Sequence, residues 1–305
     1  MTGDWGVPVH ETWARSYRYV RIAMVALLVG LGVSVIYQTA QQGWHLLSSV
    51  SAYYYTPAQS IFVGSLIGLG ACMIALRGTT DPEDVLLNIG GMFAAVVAIV
   101  PTGRDNDFRT AVRLCGVATD KLPDGVDCLS VRALEAAARA NVENNMFALL
   151  VLGGLGILAT VVIVARERRP GRHGRSTWIG IAVALLVYAS ALGFFVAAED
   201  RFISTAHYVA ALGLFACILA VVFINARRHQ QERTPDAPPA QLPRNRYSVI
   251  ALVLIGATGL LLVLWLTGVL TLFWLEIIVA GLFAVFWTVQ TVEQIPAETA
   301  EEPPA

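Results

Sequence analysis

Two ionisable side chains lie inside runs that are otherwise apolar: Glu276 within Leu272 to Val292, and His207 within Ile203 to Asn225. A carboxylate in such a place is costly to bury and usually faces a cavity, a partner group or a proton path. If its helix begins near Thr271, Glu276 stands about 7 to 8 Å along it at 1.5 Å per residue, and His207 falls at a similar depth in its own helix. A hydrogen bond or ion pair between them is geometrically open, and each group would ease the burial of the other. Such a pair could hold a ligand or pass a proton. The plainer readings are a Glu276 that reaches interfacial water and a His207 that is a packed core histidine.

The second candidate stretch is a charge-free loop rich in Ser and Tyr, Ser48-Ser-Val-Ser-Ala-Tyr-Tyr-Tyr-Thr-Pro, that runs straight into an apolar helix. Ser51, Tyr53, Tyr54 and Tyr55 are read with His207 and Glu276 as the ligand-binding residues of one pocket. Tyrosines also gather at membrane interfaces as anchors whatever the function, which is the competing explanation. A metal site would need three or four convergent His, Cys or carboxylate ligands. His45, His207 and Glu276 are the available set, but no H-x-x-x-H spacing supports it, and no cofactor is expected. Neither Ser49 nor Ser51 sits in a G-x-S-x-G hydrolase turn, so no catalytic residue is assigned.

The elements that must position these groups are membrane spans. With 56% hydrophobic and 14% charged residues, the chain is too apolar for a soluble domain, in which roughly a quarter of residues are charged. Runs able to cross a hydrocarbon core of about 20 residues lie near Tyr19 to Tyr37, Ala58 to Leu76, Val85 to Val100, Met146 to Ala165, Trp178 to Ala198, Ile203 to Asn225, Ser248 to Val269 and Leu272 to Val292. The fold class is therefore all-α, an integral membrane bundle of about eight transmembrane helices. The last two form a hairpin across Thr267 to Thr271.

Basic residues set the orientation. Arg15, Arg18 and Arg21 precede the first span, Arg166 to Arg175 follow the fourth, and Arg227 to Arg246 follow the sixth, which places all three groups and both termini in the cytoplasm. The segments read as a cytoplasmic stretch 1–18, a six-helix membrane unit 19–226 with an outer loop 102–143, a Pro- and Arg-rich linker 227–246, the hairpin 247–292 and an acidic, disordered tail 293–305. Cys115 and Cys128 fall in the outer loop, and a disulfide between them is expected in an oxidising compartment. Downstream, Ser130 is placed to cap a helix in which Glu135 pairs with Arg139 at i, i+4.

Small residues Ser60, Gly64, Gly68 and Cys72 share one face of the second span and invite a close helix contact. Asp81-Pro82 with Glu83 and Asp84 reads as the start of the third helix, its acids complementing the dipole. On this topology, four helix N-termini face outward, with Tyr53 to Tyr55, Asn141 to Asn145, His207 with Tyr208, and Trp274 with Glu276 near them. Such ends favour anions.

The Ser49 to Pro57 string followed by Ile61-Phe-Val-Gly, together with His207-Tyr-Val-Ala-Ala, Trp274-Leu-Glu and Phe286-Trp, resembles a signature in bacterial multi-pass membrane proteins that have a Ser-x-Ser-x-Tyr-Tyr loop before the second span. The resemblance implies a place in the bacterial cytoplasmic membrane and brings no activity with it. The alkaline ceramidase and progestin-receptor-like superfamily also embeds Ser, Asp and His in the membrane, but this chain lacks its H-x-x-x-H pair.

The reading that follows is an outward pocket that binds a lipid headgroup or a small anionic ligand, in a non-catalytic or envelope-accessory role. A proton-coupled transporter using Glu276 and His207 is the alternative, and a metal-assisted lipid hydrolase the third. Expected partners are membrane lipids, with a homo-oligomer or an envelope protein partner possible on this reading and no nucleic acid.

Overall fold

The computed structural model describes residues 9–78, 80–102, 128–166, 175–233 and 245–299. Among these the chain forms eight α-helices and one 3-10 turn, with no strand. They are α1 (Val9–Gln41), the 3-10 turn (Ser51–Tyr55), α2 (Gln59–Ala75), α3 (Asp81–Ile99), α4 (Cys128–Arg166), α5 (Arg175–Ala197), α6 (Glu199–Arg233), α7 (Arg246–Leu266) and α8 (Leu272–Thr299). Seven of the eight are long and apolar enough to cross a membrane, while α2 is a shorter apolar helix. That set marks a multi-pass membrane protein. Large apolar side chains such as Leu152, Leu186, Leu252 and Leu266 are exposed on the outside of the bundle, where lipid is the solvent.

Six helices close a ring. Going round, α1 packs on α2, α2 on α3, α3 on α6, α6 on α7, α7 on α8, and α8 returns to α1. The ring is filled, not open, with Met24, Phe62, Leu69, Met73, Phe283 and Trp287 among its buried side chains. Helices α4 and α5 pair outside it, mainly against α3. The hairpin α7–α8, set apart in sequence by the linker, thus supplies two of the six ring members. Its turn reverses at Gly268, whose φ of 74° suits a residue without Cβ.

The backbones of α2 and α3 come close together, on a face other than the one the sequence suggested. A Cβ on Gly70 would stand 2.6 Å from the Gly91 carbonyl oxygen, and one on Gly91 2.5 Å from that of Gly70. Gly68 instead meets Leu27 of α1, and Gly64 faces open space. The reason is rotation: Gly70 lies two residues from Gly68, about 200° around a helix of 3.6 residues per turn.

Two local expectations change. Helix α4 already runs from Cys128, so Ser130 lies inside its first turn and not at its cap, and the segment continues unbroken into the span. Arg139 is engaged by Glu143 at 2.9 Å, Glu199 at 3.0 Å and Asp200 at 2.7 Å, because the start of α6 brings two acids to it; the pair with Glu135 is not formed. The Cys115 to Cys128 bridge falls on Cys115 and a Cys128 side chain outside the described residues. Cys72 and Cys217 are free thiols in the bundle.

Candidate functional site

The loop between α1 and α2 folds down onto one end of the ring and closes it as a lid. After α1 the chain turns through Gly43 and Trp44, both at positive φ, and residues Ser49 to Tyr54 are buried. Burying the loop there requires partners for its polar groups, and they come from α8, from Thr102 after α3 and from within the lid. Phe273 N donates to the Ser48 carbonyl at 2.9 Å. Val50 N donates to Glu276 Oε2 at 2.5 Å, and Ser51 Oγ accepts from Thr102 N at 2.9 Å. Ser49 Oγ bonds Thr102 Oγ1 at 2.8 Å and accepts from Ala52 N at 3.0 Å.

His207 and Glu276 meet beneath this lid. His207 is 2% exposed, and its Nδ1 lies 2.6 Å from the Val100 carbonyl at the end of α3. A carbonyl can only accept, so Nδ1 carries the hydrogen. Nε2 then faces Glu276 Oε1 at 3.9 Å. At that separation the two groups are close enough for an ion pair when the imidazole is protonated and too far apart for a direct hydrogen bond. The Glu276 side chain is 24% exposed, so the pair is within reach of the bundle end, where it ties the end of α3 to the lid.

The tyrosines pack within the lid. Tyr53 is fully buried, bonds Thr39 Oγ1 through its hydroxyl and packs its ring 6.2 Å from that of Phe273. Tyr54 stacks edge-on against Tyr55 at 5.6 Å. Burial raises the Tyr54 phenol above its usual pKa, and Gln59 and Asn141 approach its hydroxyl without reaching hydrogen-bond geometry. Ser51 spends its oxygen on the Thr102 N–H. Of the six residues read as ligand-binding, then, His207 and Glu276 come together, while Ser51, Tyr53, Tyr54 and Tyr55 build the lid beside them.

What the sequence did not indicate is a cleft of about 350 Å³ next to this pair, between the lid and the α7–α8 turn. One wall is hydroxyl-bearing, from Ser48, Ser49, Thr102 and Tyr208; the other is Trp265 and Gly268 to Leu272. Thr102 follows α3 and gave no signal of its own, since a lone threonine after a span is commonplace. Ser49 and Thr102 share one hydrogen between their oxygens and keep another to donate. The N-terminus of α8 also borders the cleft, contributing partial positive charge.

A second buried polar group lies at the opposite end of the ring. Asn225 Nδ2 donates to Glu83 Oε1 at 2.9 Å, and Gln290 Nε2 donates to Asn225 Oδ1 at 2.9 Å, so α3, α6 and α8 are tied in one line. Glu83 is buried, unlike its exposed neighbour Asp81, and so does more than complement a helix dipole. Arg21, counted from sequence among loop charges, is 1% exposed inside the bundle.

His45 is exposed, and no three His, Cys, Asp or Glu side chains among the described residues converge as metal ligands. Comparison of the chain with protein-family models, with curated proteins and with solved structures finds no match.

Proposed function

We propose that this is a multi-pass protein of the bacterial cytoplasmic membrane, with its lid end outward and both termini inside, that binds the polar end of a lipid in the cleft beside the lid. The observation that carries the reading is the cleft's composition: the hydroxyls of Ser48, Ser49, Thr102, Tyr208 and Thr271 and the N-terminus of α8 beside the apolar side chains of Trp265, Val269, Leu270 and Leu272. A phosphate-containing headgroup would take hydrogen bonds from the Ser49–Thr102 pair and the N-terminal turn of α8, while Trp265 and Val269 would meet its hydrocarbon side. Among the described residues no basic side chain lines the cleft, and the donors they offer are neutral. Glu276 turns its Oε2 to the lid backbone, which leaves it as a support for the site. The role is non-catalytic and envelope-accessory, with a second copy of the chain or an envelope protein as possible further partner.

The test is native mass spectrometry of the protein purified with its lipids. Thr271 is exposed and lines the cleft, so Thr271→Trp fills it without replacing a buried residue. The expected outcome is loss of a co-purifying phospholipid with an unchanged melting temperature. An unchanged lipid complement refutes the reading.

A second reading keeps its own observation. The approach of His207 Nε2 to Glu276 Oε1 at 3.9 Å supports proton coupling, and substrate uptake abolished by a protonophore and by Glu276→Gln would favour a transporter over a binding protein.

A further inference from the structure

At the end opposite the lid, Arg21 is a buried cation. Its side chain is almost wholly enclosed, and no carboxylate among the described residues reaches it within ion-pair distance. One nitrogen is used: Nη2 donates to the Tyr17 hydroxyl at 2.6 Å, and that hydroxyl donates to the Arg77 carbonyl at 3.2 Å. The guanidinium sits 4.4 Å from the Tyr17 ring centre and 5.1 Å from that of Trp287. Nε and Nη1 are buried with no hydrogen-bond partner, and so is Trp287 Nε1.

Arginine cannot shed its charge by deprotonation. A buried cation is ordinarily paired, and two aromatic faces compensate only part of the lost hydration. The Glu83 carboxylate on the same end is engaged by Asn225, with Gln290 beyond it. The unused groups around the guanidinium include three N–H-bearing nitrogens on two side chains, which is the complement of an oxyanion. Tyr17, whose hydroxyl and ring both contact the guanidinium, is half-buried, and its bond to Arg77 is at the surface.

We infer that Arg21 and the Trp287 indole N–H form an oxyanion site capped by Tyr17, and that its ligand is a phosphate group. The site is separate from the lid cleft and does not depend on the function proposed for it. The phosphate belongs either to a lipid of the leaflet at that end or to a free anion.

Two binding measurements separate these sources: native mass spectrometry in micelles doped with phosphatidylglycerol, and equilibrium dialysis with radiolabelled inorganic phosphate. Each is run on wild type, Arg21→Gln and Trp287→Phe, the last keeping the ring and removing the donor. Arg21→Gln should weaken binding about tenfold or more and Trp287→Phe several-fold, with Thr271→Trp leaving this site unaffected. Loss seen with phosphatidylglycerol alone assigns the lipid; loss seen with inorganic phosphate assigns the free anion. If Arg21→Gln fails to fold, Trp287→Phe carries the test. Wild-type protein that binds neither probe, or variants that bind both as wild type does, would overturn the site and leave Arg21 a cation held by aromatic rings alone.

Discussion

Replacing Glu276 by alanine tests whether one carboxylate holds the lid. In the structure Glu276 Oε2 accepts the Val50 N–H, and Val50 is buried. A hydrogen bond to a charged acceptor contributes about 1.5 to 3 kcal/mol, and a buried N–H left without a partner costs about 1 to 3 kcal/mol. These are two views of one loss, so Glu276→Ala should lower the free energy of opening the lid by about 2 to 3 kcal/mol. At about 1.4 kcal/mol per factor of ten, amides from Val50 to Tyr54 should exchange with deuterium roughly 30 to 150 times faster, provided they exchange by local opening. Glu276→Gln keeps an acceptor for the Val50 N–H and offers an amide N–H to the bare form of His207 Nε2. Its lid should exchange within several-fold of wild type. The assay is hydrogen exchange read by mass spectrometry in nanodiscs, with amides of α4 as internal control. Two results would refute the reasoning: a lid as protected in Glu276→Ala as in wild type, or a lid opened equally by Gln and Ala, which would mean the acceptor at Val50 is not what holds it.

The glycine crossing and the orientation give two further tests. Gly70→Ala drives a Cβ against the backbone of α3 at Gly91, where no side chain can yield, and should cost about 1 to 3 kcal/mol or more; Gly64→Ala meets nothing and should be neutral or gain up to about 1 kcal/mol of helix propensity. Melting temperatures in one detergent decide between them, and equal behaviour would displace the crossing. In a cysteine-free background, a reagent unable to cross the membrane should label Pro57→Cys but not Pro82→Cys in intact cells, since both positions are exposed at opposite ends of α2 and α3; the reverse pattern inverts the orientation.

Much of the helical architecture could be read because lipid imposes length and hydrophobicity on each span, and the turn at Gly268 follows from two apolar runs with almost nothing between them. The His207 and Glu276 meeting was legible for the same reason: both stood out against apolar surroundings at matching depth. The lid was not. Ser49 to Tyr55 carries no periodicity that says whether it lies on the surface or folds inward, and its partners, Thr102 and Phe273, are 51 or more residues away. Glu83 was hidden by its neighbours, since an acid in the first turn of a helix has a sufficient local reason to be there. Asn225 and Gln290, polar residues near the same end of two spans, were the available signal that a third polar partner must lie opposite them. Arg21 was disguised likewise, as the last of a basic series whose first member, Arg15, is exposed.

The two polar layers have one helix in common. On α8, Glu276 reaches the lid layer, and Gln290, fourteen residues or about 21 Å further along, reaches the Asn225–Glu83 layer, with Trp287 beside Arg21 between the same neighbours. Apolar packing alone distinguishes weakly between rotations of a helix in lipid, because hydrocarbon outside is as good a neighbour as hydrocarbon inside. A polar group at each end of α8 removes that freedom: turning the helix would strand Glu276 and Gln290 in acyl chains at once. The hairpin therefore locks the ring at both ends, and the linker before it separates the chain in sequence without separating it in structure.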